Sequence, residues 1–590
     1  MKAKANCLFE VSWEVCNKVG GIYTVIQSKT AQIMGYYDNL FLIGPYFHDK
    51  AETEFSQEPP SENMQKVFDE LKKEGIDCYY GEWHIKGRPK VVLIDYFKFM
   101  EHKDGIKTRL WDSFKVDSLY SSNEFDEPVV WGWAVGKLIE KFLEIVGCPK
   151  VVVHCHEWLA GSPILYLKDK GVKVGTVFTT HATILGRSLA ASERPLYDIL
   201  DKIDPDQEAR NLHIQDKFTM ERATAQAADI FTTVSEITGL EAEHLLKRKP
   251  EFLVHNGMDI ENLPNLEQIP SRHSNYKSKI SEFVMPYFFP YYAFDLENTL
   301  YFLISGRYEF SNKGIDVFIE SLGKLNDRLR AENSDKNIVA FLFIPAACKA
   351  IKLDIVKSKA LFEDIEDEVD DYMSTVRQKI VYSLANQQLP NKSNVFSEEF
   401  LFDMKKHILA FKKKGLPSVV THDLCADNDI IVKSLIKNGL DNKKENNVKV
   451  IFYPTYISSS DGLLDLDYYP AIWGSHLGIF PSYYEPWGYT PLECAAHGVP
   501  SITTDLAGFG IFAEKNIKTK ENPGIWVIKR RGKTYPEVVS QLTDAMYNYT
   551  NLPTKERIQN KITAEHFVRL LDWKNLIINY LEAQNAAMSK

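Results

Sequence analysis

Residues 479–504 read IFPSYYEPWGYTPLECAAHGVPSITT and contain the elements of an α/β unit. The apolar start predicts a short buried strand. Gly488, Tyr489 and Thr490 then turn the chain into a helix that has a proline in its first turn, where proline is favoured. Gly498 ends that helix, and the β-branched residues after it predict the next strand. Strand, helix and strand in this order indicate a parallel sheet covered by helices.

Two carboxylates flank this turn. Glu485 follows the strand, and Glu493 lies within the first two turns of the predicted helix. The helix N-terminus offers backbone N–H groups to a phosphate, whereas carboxylates accept hydrogen bonds from hydroxyl groups. A ligand with phosphates in its middle and polyols at both ends, such as a nucleotide sugar, satisfies every group. The alternative is that Glu493 only complements the helix dipole.

The same alternation of strands and helices extends in both directions along the chain. It predicts an α/β protein of two doubly wound lobes, residues 1–265 and 298–565, joined by a connection over 266–297. A charged stretch at about 354–388 predicts a helical insertion in the second lobe. The amphipathic residues 566–590 predict a C-terminal helix that docks on the body. The aromatic residues at the end of the connection are predicted to pack between the lobes.

Composition argues against several classes of partner. The 590 residues carry a net charge of −10, which disfavours a general nucleic-acid binder because phosphate contacts need a basic surface. The eight cysteines form no Cys-x-x-Cys pair. No apolar run reaches the roughly 18 residues of a membrane span, and the N-terminus lacks the form of a signal peptide. We therefore expect a reduced, cytoplasmic protein without nucleic-acid or membrane partners.

A glycine pair opens the first helix of the first lobe. Lys18, Gly20 and Gly21 follow a predicted strand, where glycines let the backbone approach a ligand. A free helix N-terminus at this point would attract an anion. The alternative is that the two glycines serve packing alone.

Histidines mark two further strand ends in the first lobe. His154, His156 and Glu157 close one strand, and we predict that the two histidines face opposite sides of the sheet. That prediction disfavours zinc and favours a hydrogen-bonding cluster at the carboxyl end of the strand. His181 follows the next strand, with Arg187 six residues later. Taken alone, these two residues fit a structural histidine and a surface arginine.

The first strand–helix connection of the second lobe is basic. Arg307 and Lys313 lie there between Gly306 and Gly314. An arginine fork and a mobile lysine together suit a diphosphate. An exposed basic loop is the alternative, and the placement at the carboxyl edge of a sheet favours the binding function.

Taken together, these segments resemble the glycogen synthases of the animal and fungal type. The resemblance covers nearly the whole chain and rests on KVGGIYTV, HEWLAG, FTTHATILGR, GRYEFSNKGIDVFIESL, HLGIFPSYYEPWGYTPLECAAHGVPSITTDLAGFG and LLDW. It implies two facing Rossmann-like lobes of the GT-B type with a cleft between them. It also implies transfer of glucose from UDP-glucose to the 4-hydroxyl at the non-reducing end of an α-1,4-glucan, with retention of configuration.

The resemblance assigns roles to the second-lobe residues. Arg307 and Lys313 would bind the donor diphosphate and stabilise the departing UDP. Glu485 would hold glucose hydroxyls and Glu493 the ribose, while Tyr468 would stack on uracil. Gly488, Tyr489 and Thr490 would supply the helix N-terminus.

The first lobe would complete the site when the cleft closes. His181 would lie beside the transferred sugar with its backbone carbonyl facing the anomeric carbon. The remaining contributors would be Lys18, Gly20, Gly21, Glu157 and Arg187. Fixed cations and amide dipoles would neutralise the leaving group, so neither a metal nor another cofactor is expected.

The chain departs from the family pattern before LLDW. The arginine-rich helix that binds glucose-6-phosphate is reduced to Lys555, Arg557, Lys561 and Arg569, so we expect no activation by that sugar phosphate. The family forms tetramers through helical insertions, which makes 354–388 the candidate interface. Two alternatives stay open at this point: a related α-glucan synthase that uses ADP-glucose, and a catalytically inactive glycogen-binding scaffold.

Overall fold

Two large sheets organise the chain, one mostly parallel and one entirely parallel. The computed structural model describes residues 2–261, 263–265 and 267–590. The strands are β1 Cys7–Ser12, β2 Asn39–Pro45, β3 Phe55–Gln57, β4 Asp77–Trp83, β5 Lys90–Asp95, β6 Val151–His156, β7 Gly175–Thr180, β8 Ile230–Thr233, β9 Phe252–Leu253, β10 Thr299–Ser305, β11 Asn337–Phe343, β12 Cys348–Ile351, β13 His422–Leu424, β14 Val448–Tyr453, β15 Leu477–Ile479, β16 Ser501–Thr504 and β17 Ile525–Ile528.

Helices cover both sheets. They are α1 Gly21–Ile33, α2 His48–Glu54, α3 Glu62–Lys72, α4 Lys103–Phe114, α5 Asn123–Val146, α6 Ser162–Asp169, α7 Ile184–Ala191, α8 Leu196–Ile199, α9 Pro205–Asn211, α10 Gln215–Ala227, α11 Glu236–Leu245, α12 Gln268–Phe288, α13 Ile315–Ala331, α14 Leu353–Ala385, α15 Lys392–Val395, α16 Glu398–Phe411, α17 Ile430–Lys437, α18 Tyr468–Gly474, α19 Tyr489–Ala496, α20 Gly508–Asn516, α21 Tyr535–Thr550, α22 Thr554–Val568 and α23 Trp573–Ala587.

The first sheet has the order β3-β4-β5-β2-β1-β6-β7-β8-β9. β4 runs antiparallel to both of its neighbours, and the pairs from β5 through β9 are parallel. Strand β1 is central and buried along its whole length, which its sequence CLFEVS explains because a central parallel strand is covered on both faces. The charged residue of this strand is Glu10, which is completely buried.

The second sheet is parallel throughout, with the order β14-β11-β10-β15-β16-β17. The predicted α/β architecture of two doubly wound lobes is therefore confirmed. Helix α14, at Leu353–Ala385, is the predicted helical insertion, and α16 packs against it.

The carboxyl ends of the two sheets approach one another. The hydroxyl of Tyr484, five residues after β15, donates to Glu241 of α11 at 3.3 Å. Ser235, just after β8, donates to the carbonyl of Pro486 at 2.6 Å. Residues that follow strands of the two sheets therefore meet where the lobes touch.

The aromatic segment before β10 does not pack between the lobes, so that prediction is wrong. Helix α12 contacts α18 and α14, and Phe283, Tyr287 and Phe288 belong to the core of the second lobe. Their spacing along one helix face places them against the second sheet. The final helix α23 instead packs on α1, β7 and β8 of the first lobe.

Across the described ranges, no helix is both long enough and apolar enough to cross a bilayer.

Candidate active site

The basic loop of the second lobe lies beside Glu485. Lys313 Nζ is 2.5 Å from Glu485 Oε2, and the Arg307 guanidinium pairs with Glu309 at 2.9 Å. Gly314 adopts φ +68°, and a Cβ there would lie 2.0 Å from the carbonyl oxygen of Pro481. Glycine is therefore required for the loop before α13 to lie against the segment that carries Glu485.

Helix α19 begins at the cleft as the sequence predicts. Gly488 precedes it with φ +108°, a conformation that favours glycine. Within the described part of the chain, the amides of Gly488, Tyr489 and Thr490 donate to no protein acceptor. These three N–H groups are available to a ligand, as expected for a helix N-terminus that binds an anion.

A cavity of ≈ 360 Å³ adjoins these groups. Arg307, Tyr468, Thr490 and Glu493 line it together with Ser305, Gly306, Phe343, Pro345, Thr455, Tyr456 and Ile457. The hydroxyl groups of Tyr468 and Ser305 lie 2.9 Å apart, which fixes the tyrosine ring against the wall. Burial raises the pKa of Glu493 to about 7, although hydrogen bonds from Tyr468 and Tyr469 act to lower it.

The sequence predicts that the N-terminus of α1 offers free amides to an anion, but two of these amides are already paired. Glu14 Oε2 accepts hydrogen bonds from the amides of Gly20 at 2.8 Å and Tyr23 at 2.9 Å, so these groups are not free for an anion. A side chain six residues upstream caps the helix, a contact that no local spacing rule identifies. Lys18 remains exposed, with its Nζ 5.8 Å from the centre of the Tyr23 ring.

Glu157 organises the backbone at His181. Its own φ is +67°, and its Oε1 accepts from the amides of His181 at 2.9 Å and Ala182 at 3.0 Å. Burial raises the pKa of this carboxyl, while Arg187 and the two amides oppose that effect. The sequence placed Glu157 among ligand-binding residues, and the structure shows it orienting the peptide that follows β7.

The prediction that the two histidines of β6 face opposite sides of the sheet is wrong. His154 and His156 lie on the same face of the strand, with their ring centres 4.4 Å apart, because residues two positions apart in a strand project from one side. With Glu10 they form the one group in the described residues whose ligand atoms are close enough for a metal. Lys29 already donates to that glutamate, so a metal would sit beside a buried ammonium.

Several residues that the sequence interpretation missed connect the lobes. Glu241 is fully buried and accepts from Thr183 at 2.6 Å and Tyr197 at 2.8 Å, besides Tyr484. Burial raises its pKa to about 7, against the effect of these hydrogen bonds. Arg187, which the sequence interpretation named, is exposed; desolvation lowers its pKa, but the charges of Glu157 and Tyr484 outweigh that effect and raise it.

Comparison with known proteins agrees with this geometry. The family model for glycogen synthase matches residues 10–590. The chain is 38% identical to the liver glycogen [starch] synthase of Mus musculus over 588 residues, covering 99% of this chain and 83% of that protein. It is 39% identical to the glycogen [starch] synthase of Caenorhabditis elegans over 594 residues, covering 99% and 88%.

Solved structures agree on the fold. The catalytic domain of starch synthase IV from Arabidopsis thaliana, bound to ADP and acarbose, superposes with a TM-score of 0.51 at 12% identity, covering 99% of this chain and 100% of that one. At this identity the match supports the GT-B fold alone. Because the sequence match spans almost the entire length, the chain belongs to the glycogen synthase family of glycosyltransferases.

Proposed function

We propose that this chain transfers glucose from UDP-glucose to the non-reducing 4-hydroxyl of an α-1,4-glucan, with retention of the α configuration. One observation carries the proposal: Arg307 and the unpaired N-terminus of α19 at Thr490 line one cavity together with the carboxylate of Glu493. A second cation and a second carboxylate, Lys313 and Glu485, pair with each other on the same two segments. Diphosphate, ribose and glucose each find a complementary group there. Arg307 and Lys313 would exchange their carboxylate partners for the donor diphosphate.

The same residues support catalysis without a metal ion. As the glycosyl–phosphate bond breaks, negative charge grows on the departing diphosphate. Fixed donors aimed at that charge stabilise it without reorganisation in the transition state. Arg307, Lys313 and the N-terminus of α19 supply such donors, so the proposal includes no cofactor.

The glucan acceptor has a suitable surface on the first lobe. A cavity of ≈ 540 Å³ adjoins the glycine loop, and Trp13, Tyr46, Phe47 and Phe97 line it together with Asn17 and Lys50. Aromatic faces beside polar groups suit sugar rings, which are apolar on their faces and hydroxylated at their edges. We place the end of the glucan chain there.

The helical insertion supports the proposed homotetramer. Apolar side chains are exposed on α14 and α16, including Tyr382 (73%), Phe402 (61%) and Leu409 (75%). Exposed apolar groups concentrated on one projecting element indicate a protein interface. We also propose a reducing, cytoplasmic setting, because all eight cysteines fall within the described ranges as free thiols.

A donor assay tests the proposed function. Purified protein is given glycogen, EDTA and radiolabelled UDP-glucose or ADP-glucose, and incorporation into glycogen is measured. We expect a kcat/KM for UDP-glucose at least about 10-fold above that for ADP-glucose, unaffected by the chelator. Preference for ADP-glucose would establish the related α-glucan synthase, and no turnover with either donor would establish the inactive scaffold.

Glucose-6-phosphate is expected to change the velocity by less than about twofold. Of the four cations left in this region, Arg569 pairs with Glu565, Arg557 donates to the carbonyl of Leu552, and Lys561 is buried against Ser475. The measurement is the initial rate at subsaturating donor with rising glucose-6-phosphate. Activation of several-fold would show that these residues suffice for an effector site.

A further inference from the structure

A line of buried polar groups leads from His181 into the first lobe. His181 Nε2 lies 3.0 Å from His156 Nδ1, and His156 Nε2 lies 2.8 Å from Glu10 Oε1. The same glutamate oxygen accepts from the ammonium of Lys29. Glu10, Lys29 and His156 are all almost completely buried, so water does not compete for these contacts.

The chemistry of Glu10 sets the direction of these hydrogen bonds. An ionised carboxylate only accepts, so His156 must carry its proton on Nε2. Burial alone would raise the pKa of Glu10, but Lys29 and His156 outweigh it and hold that pKa below its usual range. The ion pair with Lys29 therefore keeps the carboxylate charged.

The protonation of His156 in turn determines which nitrogen of His181 donates a hydrogen bond. Burial lowers the pKa of His156, which keeps the imidazole neutral, and a neutral imidazole with a proton on Nε2 can only accept at Nδ1. His181 must consequently donate from its Nε2. Its Nδ1 is left as an acceptor, and this atom makes no hydrogen bond to the described part of the chain.

We propose that Glu10 and His156 are positioning residues that fix His181 as the Nε2–H tautomer, so that its Nδ1 accepts a hydrogen bond from a hydroxyl of the transferred sugar. This inference rests on the proposed function in placing that sugar beside His181. It also explains why a charged pair lies in the centre of the first sheet. A buried pair of this kind contributes little net stability compared with apolar residues of the same size.

His154 provides a matched control. It is as deeply buried as His156 and stacks on its ring, but it bonds Thr179 at 2.7 Å and Gln584 at 3.1 Å instead of His181. His154→Leu therefore disturbs the same packing but removes none of the hydrogen bonds that link Glu10, His156 and His181. His156→Asn keeps an amide oxygen near the position of Nδ1, whereas His156→Leu removes the acceptor.

The test is the kcat and the donor KM at neutral pH, measured with whichever donor the wild-type enzyme uses. In His156→Leu we expect kcat to fall about 100-fold, because His181 can then adopt either tautomer while burial still keeps its pKa low and its ring neutral. The donor KM should stay within about threefold, because the lost interaction acts in the transition state. His156→Asn should recover most of the loss, and His154→Leu should keep kcat within about threefold of the wild type.

Several outcomes would overturn the inference. One is a kcat of His156→Leu within about threefold of the wild type, and another is an equally large loss of kcat in His154→Leu. A third is stoichiometric metal in the purified wild-type protein that disappears in His156→Leu, since Glu10, His154 and His156 would then be ligands. Failure of the proposed function would appear separately, as a wild-type enzyme without UDP-glucose transfer.

Discussion

Replacing Arg307 and Lys313 together by methionine is expected to lower kcat by about 10⁴-fold. Each side chain is assigned to the departing diphosphate, and removing a single preorganised donor from such a site typically costs about 10²- to 10³-fold. Methionine keeps the length of the side chains and removes their charge. Initial rates at saturating donor and glycogen measure the loss.

The control for this double variant lies on α13, the helix that follows the loop of Arg307 and Lys313. Lys324 is exposed and Arg328 is half-buried, and both pair with acidic residues, so Lys324→Met with Arg328→Met removes two positive charges away from the cavity. This control should retain kcat within about twofold, because surface pairs contribute little. If the double variant Arg307→Met with Lys313→Met kept a kcat within about tenfold of the wild type, the assigned mechanism would be wrong.

Glu485→Gln is expected to reduce kcat by about 10³-fold while the Kd for UDP changes by less than about threefold. The carboxylate is assigned to glucose hydroxyls, which UDP lacks, so its loss affects transfer more than nucleotide binding. The substitution also releases Lys313, whose ammonium is 2.5 Å from this carboxylate. Transfer rates and calorimetric titration with UDP separate the two effects.

Glu493→Gln is the comparison variant for Glu485→Gln. This residue lines the nucleotide cavity and is assigned to the ribose, so its substitution should weaken UDP binding more than Glu485→Gln does. If Glu485→Gln transferred glucose at the wild-type rate, the residue would have no part in the mechanism. Equal loss of UDP affinity in both variants would show that Glu485 contacts the nucleotide.

Local patterns in the sequence are enough to identify the candidate residues of the second lobe. The glycine at 488, the proline in the next turn and the carboxylates on either side are all encoded within a few residues. The basic loop at Arg307 is equally local, because glycines flank it in the sequence. The structure brings these segments together at one cavity, as the parallel topology requires.

The first-lobe site depends on contacts between distant segments. Glu241 meets Tyr484 across 243 residues, and Glu10 meets His156 across 146, so no periodicity reveals either pair. The capping of Gly20 by Glu14 is shorter in range but follows no standard motif. The prediction for β6 is wrong for a different reason. Residues two positions apart in a strand project from the same face, so the sequence alone places His154 and His156 together.

The chain passes between the lobes twice, and the two passages touch. The amide of Met258 donates to the carbonyl of Leu571 at 3.0 Å, and that of Trp573 donates to the carbonyl of Met258 at 3.3 Å. Two adjacent crossings of the chain, joined by hydrogen bonds, resist sliding of one lobe past the other. We therefore expect any relative motion of the lobes to be a hinge rotation about the line that joins the crossings. The arrangement also delays maturation during synthesis. Because α23 completes the packing around α1 and β7, the amino-terminal half cannot finish its core until α23 has been synthesised.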